Sequence, residues 1–349
     1  HPKSKVEADP DYFSNPVSAG PYVVEAGWVP GANVFRAVEN PDYHKGPMMA
    51  RSIEHVAVPD VPSRLLQLNA GELDMAYDLP LSSANDLDAA VEVTIAGVGG
   101  MNYIAINQSL GGPFASYEVR RAISLAIDRE RISNIAFFGY QPPATSPFFS
   151  CGPLCRPGFL PNGGAQDIEE ARSLMKTAGY ADGFSAEMKV SSGRGGWPES
   201  AVLVAEDLAE IGIKITVTPV DEGQHYSSIG EKNYEMFFSG GGGHHQALVS
   251  QVLDPSGFWV RATAATPPVG STELVNASGQ SLDVAERAEI YDKVQEMWAS
   301  YLPIISVVER VQLSGNRVPG ILIPQVKNDQ KLIIQTVAEA RAGVRAGDL

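Results

Sequence analysis

The 349 residues include 26 basic and 41 acidic side chains, for a formal charge of −15, and 44% of them are hydrophobic. That is enough chain for two domains with sizeable cores, at an apolar fraction ordinary for globular proteins. The acidic balance opposes nucleic-acid binding, which needs a basic footprint, and no uninterrupted apolar run approaches the ~20 residues of a membrane span.

Along the chain, α and β patterns alternate. Residues 51–59 read as a strand ending at Pro59. Residues 60–74 read as a helix with Leu65, Leu66 and Leu68 inward, and Gly71 suits its left-handed C-cap. After a loop at Gly97–Gly100, residues 102–108 form a strand. Apolar residues at 119, 122, 123, 126 and 127 recur at helical spacing, which predicts one amphipathic helix over 117–138. Pro142, Pro143, Pro147, Pro153, Pro157 and Pro161 mark a surface loop. Asp167 as N-cap, Glu170 at the third position and Gly179 as stop bracket the next helix. A strand at 185–191, a helix at 198–211 and a strand at 213–219 make a βαβ unit with a right-handed crossover. A strand at 234–239 leads into a glycine-rich loop, Gly240–His245. Residues 283–300 are a helix and 303–311 a strand.

Catalytic motifs are missing: the chain has no G-x-S-x-G, no P-loop and no H-E-x-x-H. Gly193, Arg194, Gly195 and Gly196 imitate a nucleotide loop, but Pro198 occupies the place of the third glycine. Asp207 and Glu210 read as solvation of an exposed helix face. No enzyme is expected. Four consecutive glycines, Gly240–Gly243, either bring backbone N–H groups close to a compact polar or anionic solute or form a plain surface loop. His244 and His245 would point to opposite sides of an extended loop, so one metal ion rarely takes both. Neither a metal site nor a cofactor is expected. Cys151 and Cys155 enclose three residues. In an oxidising compartment they form a disulfide clip if a turn brings their Cα atoms within roughly 4.4–6.8 Å. The other reading, two thiols of a soft-metal site, lacks a second Cys pair or a nearby His.

The string from Val119 to Ile132, with Arg121, Ala122, Ile123, Ala126, Ile127, Asp128, Arg129 and Ile132, resembles the "R-x-A-[IL]-x-x-A-I-D-R-x-x-I" motif of solute-binding proteins of the peptide/nickel class. These are the extracytoplasmic receptors of ABC importers. Asn15–Tyr22, Trp28, Pro30, Gly31 and Asn40–Tyr43 resemble the family's "N-P-V-G-T-G-P-Y … W-x-P-G … N-P-D-Y" block. Arg64, Leu68, Ala70, Gly71, Glu72 and Asp74 are similar to its "R-x-x-x-L-x-A-G-E-x-D". Leu208, Ile211, Gly212 and Ile213 match "L-x-x-I-G-I", and Arg287, Tyr291, Gln295, Pro303, Ile304 and Ile305 match "R-x-x-x-Y-x-x-x-Q … P-I-I". The matches span nearly the whole chain in family order. The family begins well before the Asn15 block, so the resemblance implies the last two thirds of a receptor, without its signal sequence.

The resemblance implies an α/β, bilobal, type II periplasmic-binding-protein fold with mixed sheets flanked by helices and an incomplete first lobe. Residues 1–106 would be the remaining part of lobe I, 107–306 the second lobe and 307–349 the return to lobe I. Its function would be to capture a small polar solute (a non-standard peptide, opine, sugar or similar compound) in an interlobe cleft. A monomer outside the cytoplasm would deliver it to the membrane subunits of an ABC permease. Two alternatives stay open: a protein-interaction or chemosensory module retaining the fold, and a metal-complex receptor using His244 or His245. Around Gly240 the family reads approximately "G-W-x-x-D-Y-x-D-P", so Gly241 stands for the pocket Trp and His244 for the Asp that pairs with a peptide's ammonium end. A buried ammonium without its carboxylate would cost several kcal/mol, which argues against ordinary oligopeptides. By position in the family, ligand contacts fall on Asn102, Tyr103 and Asn107, on the stretch with Gly241, Gly242, His244 and His245, and on Glu309 and Arg310; Arg194 and Trp197, in the Ser191–Pro198 loop, would line the cleft from the second lobe, and a structural contact is the other reading for the residues outside the glycine stretch. Arg310 would hold a carboxylate or phosphate in a bidentate manner with Glu309 as its structural partner.

Overall fold

The computed structural model describes residues 7–9, 19–25, 33–147, 156–242, 245–318, 321–322 and 333–334. In chain order the principal elements are β1 (Tyr22–Val24), β2 (Val34–Glu39), β3 (Ser52–Val56), α1 (Val61–Ala70), β4 (Met75–Leu79), β5 (Glu92–Ile106), α2 (Tyr117–Ala126), α3 (Arg129–Ala136), α4 (Ile168–Thr177), β6 (Phe184–Ser191), α5 (Trp197–Ala209), β7 (Ile213–Val220), α6 (Glu222–Glu231), β8 (Met236–Gly242), α7 (His245–Leu253), α8 (Phe258–Thr263), α9 (Ser271–Ser278), α10 (Val284–Tyr301) and β9 (Ile304–Asn316). They form two compact units, residues 1–96 with 312–349, and residues 97–311. The boundaries fall inside the long strands β5 and β9.

In the first unit, β1, β2 and β3 form an antiparallel meander. Helix α1 starts where Asp60 accepts the Ser63 N–H at 2.9 Å and stops at Gly71, whose φ of 75° is left-handed. Its buried Leu68 packs with Ala76, Leu79, Val91 and Leu313. β4 pairs antiparallel with the end of β9 through Met75↔Asn316.

The second unit is built on a mixed sheet in the order β9-β5-β8-β6-β7. β6 runs parallel to β7 and β8, while β5 runs antiparallel to β8. The βαβ unit expected at 185–219 is present, and α4 opens as expected with Asp167 accepting the Glu170 N–H at 2.9 Å. Under the sheet, Tyr103, Ala105, Phe237, Val249, Val252, Trp259, Tyr291, Val294 and Trp298 make one core. Each such fully buried large side chain contributes roughly 1.5–3 kcal/mol relative to an exposed one.

Three sequence expectations need correction. The 117–138 helix is two helices: Ile127 is extended (φ −75°, ψ 122°) and Asp128 starts α3 by accepting the Arg131 N–H at 2.9 Å. The break positions Arg129, which is buried and donates to the Ser124, Gly164 and Ser306 carbonyls and the Ser124 hydroxyl. Burial pushes its guanidinium down to about 10. Asp207 is not on an exposed face. It is buried on α5, where it accepts the Asp128 N–H at 2.9 Å and pairs with Arg131 at 2.7 Å. Burial outweighs both partners and pushes its carboxyl up to about 6. The supposed Gly97–Gly100 loop lies within β5, because its backbone continues the strand that pairs with β8.

Candidate functional site: the glycine end of β8

β8 and β6 end near each other, but not at the same level. The β6–β8 register stops at Val190↔Phe238, whereas the β5–β8 register continues to Gly100↔Gly242. β6 itself ends at Ser191, level with Ser239, so Gly240–Gly242 extend past its carboxyl end, the position where open α/β sheets expose backbone to ligands. Gly240, Gly241 and Gly242 are strand residues, a correction to the expected loop. They carry no side-chain alternation, so only the pairing with Gly100, Met101 and Asn102 reveals the strand.

Successive strand residues face opposite sides. On one side, Asn102 lies directly across from Gly240. It is fully buried, and its amide donates to Gln141 Oε1 at 2.7 Å while its oxygen accepts the Trp197 indole N–H at 3.2 Å. A Cβ on Gly240 would overlap the Asn102 oxygen and stand 2.7 Å from Trp197 Cζ2 and 3.2 Å from Arg310 Cδ. Asn102, Trp197 and the Arg310 stem thus close directly over this glycine. Arg194 lies over the Trp197 ring at 5.8 Å and grips Glu222, its Nε 3.0 and 3.2 Å from the two carboxylate oxygens.

On the other side, Tyr103 lies across from Ser239 and hydrogen-bonds to it. Its ring meets Trp259 edge-on at 4.8 Å. Burial pushes the Tyr103 hydroxyl far above the usual phenol range, so it stays protonated. A Cβ on Gly241 would stand 3.3 Å from that hydroxyl and 3.9 Å from Trp259. His225 reaches Ser239 Oγ at 3.1 Å, and burial pushes its imidazole down.

Residues 1–255 match the model of the bacterial extracellular solute-binding proteins, family 5 Middle. The chain belongs to this family. The family is one of binding proteins rather than enzymes. Among its relatives, the glutathione-binding protein GsiB of Pectobacterium atrosepticum is 27% identical over 340 residues, which cover 88% of this chain and 62% of that protein. The chain thus spans about three fifths of this relative's length. Two solved structures share the fold. The PBP AgaA from A. tumefacien R10, in complex with agropinic acid, is 24% identical with a TM-score of 0.75, covering 90% of this chain and 65% of that one. NikA from Staphylococcus aureus, in complex with Ni(L-His)2, is 20% identical with a TM-score of 0.76, covering 92% and 68%. At these identities the likeness carries the type II binding-protein fold alone.

The residues expected at the family's pocket separate into three groups. Asn102, Tyr103, Trp197, Gly241 and Arg310 gather around the end of β8, with Gly242 in the strand and Arg194 and Glu309 at its margin; the Glu309 N–H donates to Pro142 O at 2.8 Å. Asn107 lies at the far end of β5 and acts as a clasp. Its amide donates to the Lys232 and Tyr234 carbonyls at 3.1 and 3.0 Å, and its oxygen accepts from both Ser109 donors. His245 is the first residue of α7 rather than part of an extended loop. His244, Cys151 and Cys155 lie outside the described residues. Ser239 belongs to the stretch expected at the ligand zone, whereas sequence reasoning missed Gln141, Glu222, His225 and Trp259, none of which sits in a local motif. Among the described residues no group of three or more His, Cys, Asp or Glu is placed to hold a metal ion, and no helix is long and apolar enough to cross a membrane.

Proposed function

We propose that the chain is the solute-capturing part of an ABC-importer receptor that works outside the cytoplasm, with residues 97–311 and the 1–96/312–349 unit as its two lobes. The solute is a small polar compound bearing a carboxylate. It docks at the glycine end of β8 and is handed to the membrane subunits of a permease. The carrying observation is the closure of Asn102, Trp197 and Arg310 over Gly240, which leaves a rigid, side-chain-free strand end beside a guanidinium. Arg194 is held by Glu222, and Arg310, whose stem stands beside Gly240, is the guanidinium assigned to the solute. A carboxylate suits it because guanidinium–carboxylate bonds are charge-assisted and bidentate. Two similarities support an acidic, peptide- or opine-like solute: GsiB is named for glutathione and AgaA is bound to agropinic acid. Glycine where the family's pocket Trp stands argues for a solute other than an ordinary oligopeptide. A thermal-shift panel of reduced glutathione, agropinic acid, dipeptides, neutral sugars and Ni(L-His)2 tests the reading. A true solute at a hundredfold excess over its Kd adds about 2.7 kcal/mol, and the sugars should add nothing. Stabilisation by sugars alone would reject the carboxylate assignment.

A further inference from the structure

Helix α6 braces the glycine end of β8 from two positions one turn apart. Glu222 holds Arg194 beside Trp197, and His225 holds Ser239. His225 is buried, and its Nδ1 has no hydrogen-bond partner among the described residues. This asymmetry assigns the tautomer from the network. Nε2 carries the proton and donates to Ser239 Oγ, since a bare ring lone pair costs less to bury than an unpaired N–H. Ser239 then has its own proton to give to the Tyr103 oxygen, and Tyr103 keeps a proton beside Gly241. A polar chain thus runs from α6 through β8 to β5 and ends at the glycine stretch.

The groups facing His225 favour the neutral ring. Burial is the largest influence and acts against the charge. Glu222, on the same helix, favours the charge, while Arg194, from the loop before α5, opposes it. The remaining neighbours are the rings of Trp197 at 5.9 Å, Tyr226 at 5.4 Å and Phe237 at 5.7 Å, and beyond Ser239 the protonated Tyr103. A proton on Nδ1 would make a buried, charged donor with nothing to receive it, which costs more than an unmade neutral bond. The protonated ring must turn toward Glu222 or water, and Ser239 then loses its donor.

We propose that His225 is a positioning residue of the solute site: when neutral it fixes Ser239 and Tyr103 beside Gly241, and when protonated in an acidified exterior it releases them and weakens solute binding. The inference rests on the placement of the solute at the end of β8.

Two readouts test it. In the first, Kd for reduced glutathione is measured from about pH 7.5 down to about pH 4.5, because burial holds the His225 ring below the usual histidine range. Wild type should bind about two- to tenfold more weakly at the lower pH, the worth of one neutral hydrogen bond. His225→Gln keeps an N–H for Ser239 but cannot titrate, so its ratio should be that of wild type with this factor removed. Equal ratios in the two proteins would overturn the proposal. The second readout needs no solute: the Gly241 amide resonance is followed with pH. In wild type it should move with the His225 ring, and in Ser239→Ala it should stay still while the ring still titrates. A Gly241 amide indifferent to His225 ionisation in wild type would also overturn the proposal. If glutathione does not bind at any pH, the choice of solute fails, and the resonance experiment still decides the role of His225.

Discussion

Replacing Gly240 with alanine isolates the geometry on which the site assignment depends. The added methyl would overlap the Asn102 oxygen and stand 2.7 Å from Trp197 Cζ2. Both neighbours are buried, and each is held by the other through the 3.2 Å indole–amide bond. Overpacking of this kind costs about 1–3 kcal/mol, and displacing the indole forfeits about 0.5–1.5 kcal/mol of hydrogen bond. Alanine returns about 0.5–1 kcal/mol by restricting the unfolded chain. The net loss is about 2 kcal/mol by these magnitudes. Gly241→Ala is the control on the opposite face: its methyl would meet Tyr103 at 3.3 Å and Trp259 at 3.9 Å, distances that need only small adjustments. Its cost should stay within about 1 kcal/mol. Urea unfolding followed by tryptophan fluorescence, compared at equal slope, measures both. A Gly240→Ala protein as stable as wild type, or equal losses at the two glycines, would refute the claim that Asn102 and Trp197 close over Gly240.

Four further outcomes are expected. Gly196→Ala should lose more than about 3 kcal/mol, because Gly196 has φ 82° and a Cβ would stand 2.7 Å from Phe137 Cδ1 and 2.8 Å from the Ala136 carbonyl; the same denaturation assay measures it. Arg129→Met should cost about 3–5 kcal/mol by stranding three buried carbonyls, and an unchanged midpoint would contradict the role given to this guanidinium. The Asp207 carboxyl titrates at about 6 in the fold against its usual 3.8, so the native state takes up its proton first. Wild-type stability relative to Asp207→Asn should therefore rise as pH falls from about 6 toward about 4, by on the order of 3 kcal/mol in all; a falling difference would reverse the assignment. Arg310→Ala should weaken a carboxylate solute by about 1.5–3 kcal/mol, with much less effect on a neutral one in the same calorimetric titration.

Much of the fold could be read from local chemistry. Asp167 with Glu170 and the Gly71 stop mark helix ends whose hydrogen bonds lie within a few residues, and the 184–220 βαβ unit follows from periodicity. The errors arose where distant residues decide the conformation. Apolar spacing continues through Ile127, so nothing in the pattern announces that Asp128 caps a new helix against Asp207. Gly240–Gly242 have no side chains to alternate, and their strand exists because Gly100–Asn102 lie alongside. Asp207 looked solvated because its partners, Arg131 and the Asp128 N–H, are about eighty residues away in sequence. At the site, Tyr103, Asn102 and Arg310 were nameable from family position and Trp197 from its place in the Ser191–Pro198 loop. His225 and Gln141 were not, since each matters only through a hydrogen bond to Ser239 or to Asn102. Asn107 shows the converse: it lies near a motif, but its hydrogen-bonding capacity is spent within the fold.

The most direct test of the central claim is isothermal titration of the wild-type protein and its Arg310→Ala and Gly240→Ala variants with reduced glutathione and agropinic acid, with a neutral sugar as control. Wild type should show saturable, one-to-one binding of at least one acidic solute, both variants should bind it more weakly, and the sugar should give no heat. Binding that persists unchanged in both variants, or no binding of either acidic solute by wild type, would contradict a carboxylate site at the glycine end of β8.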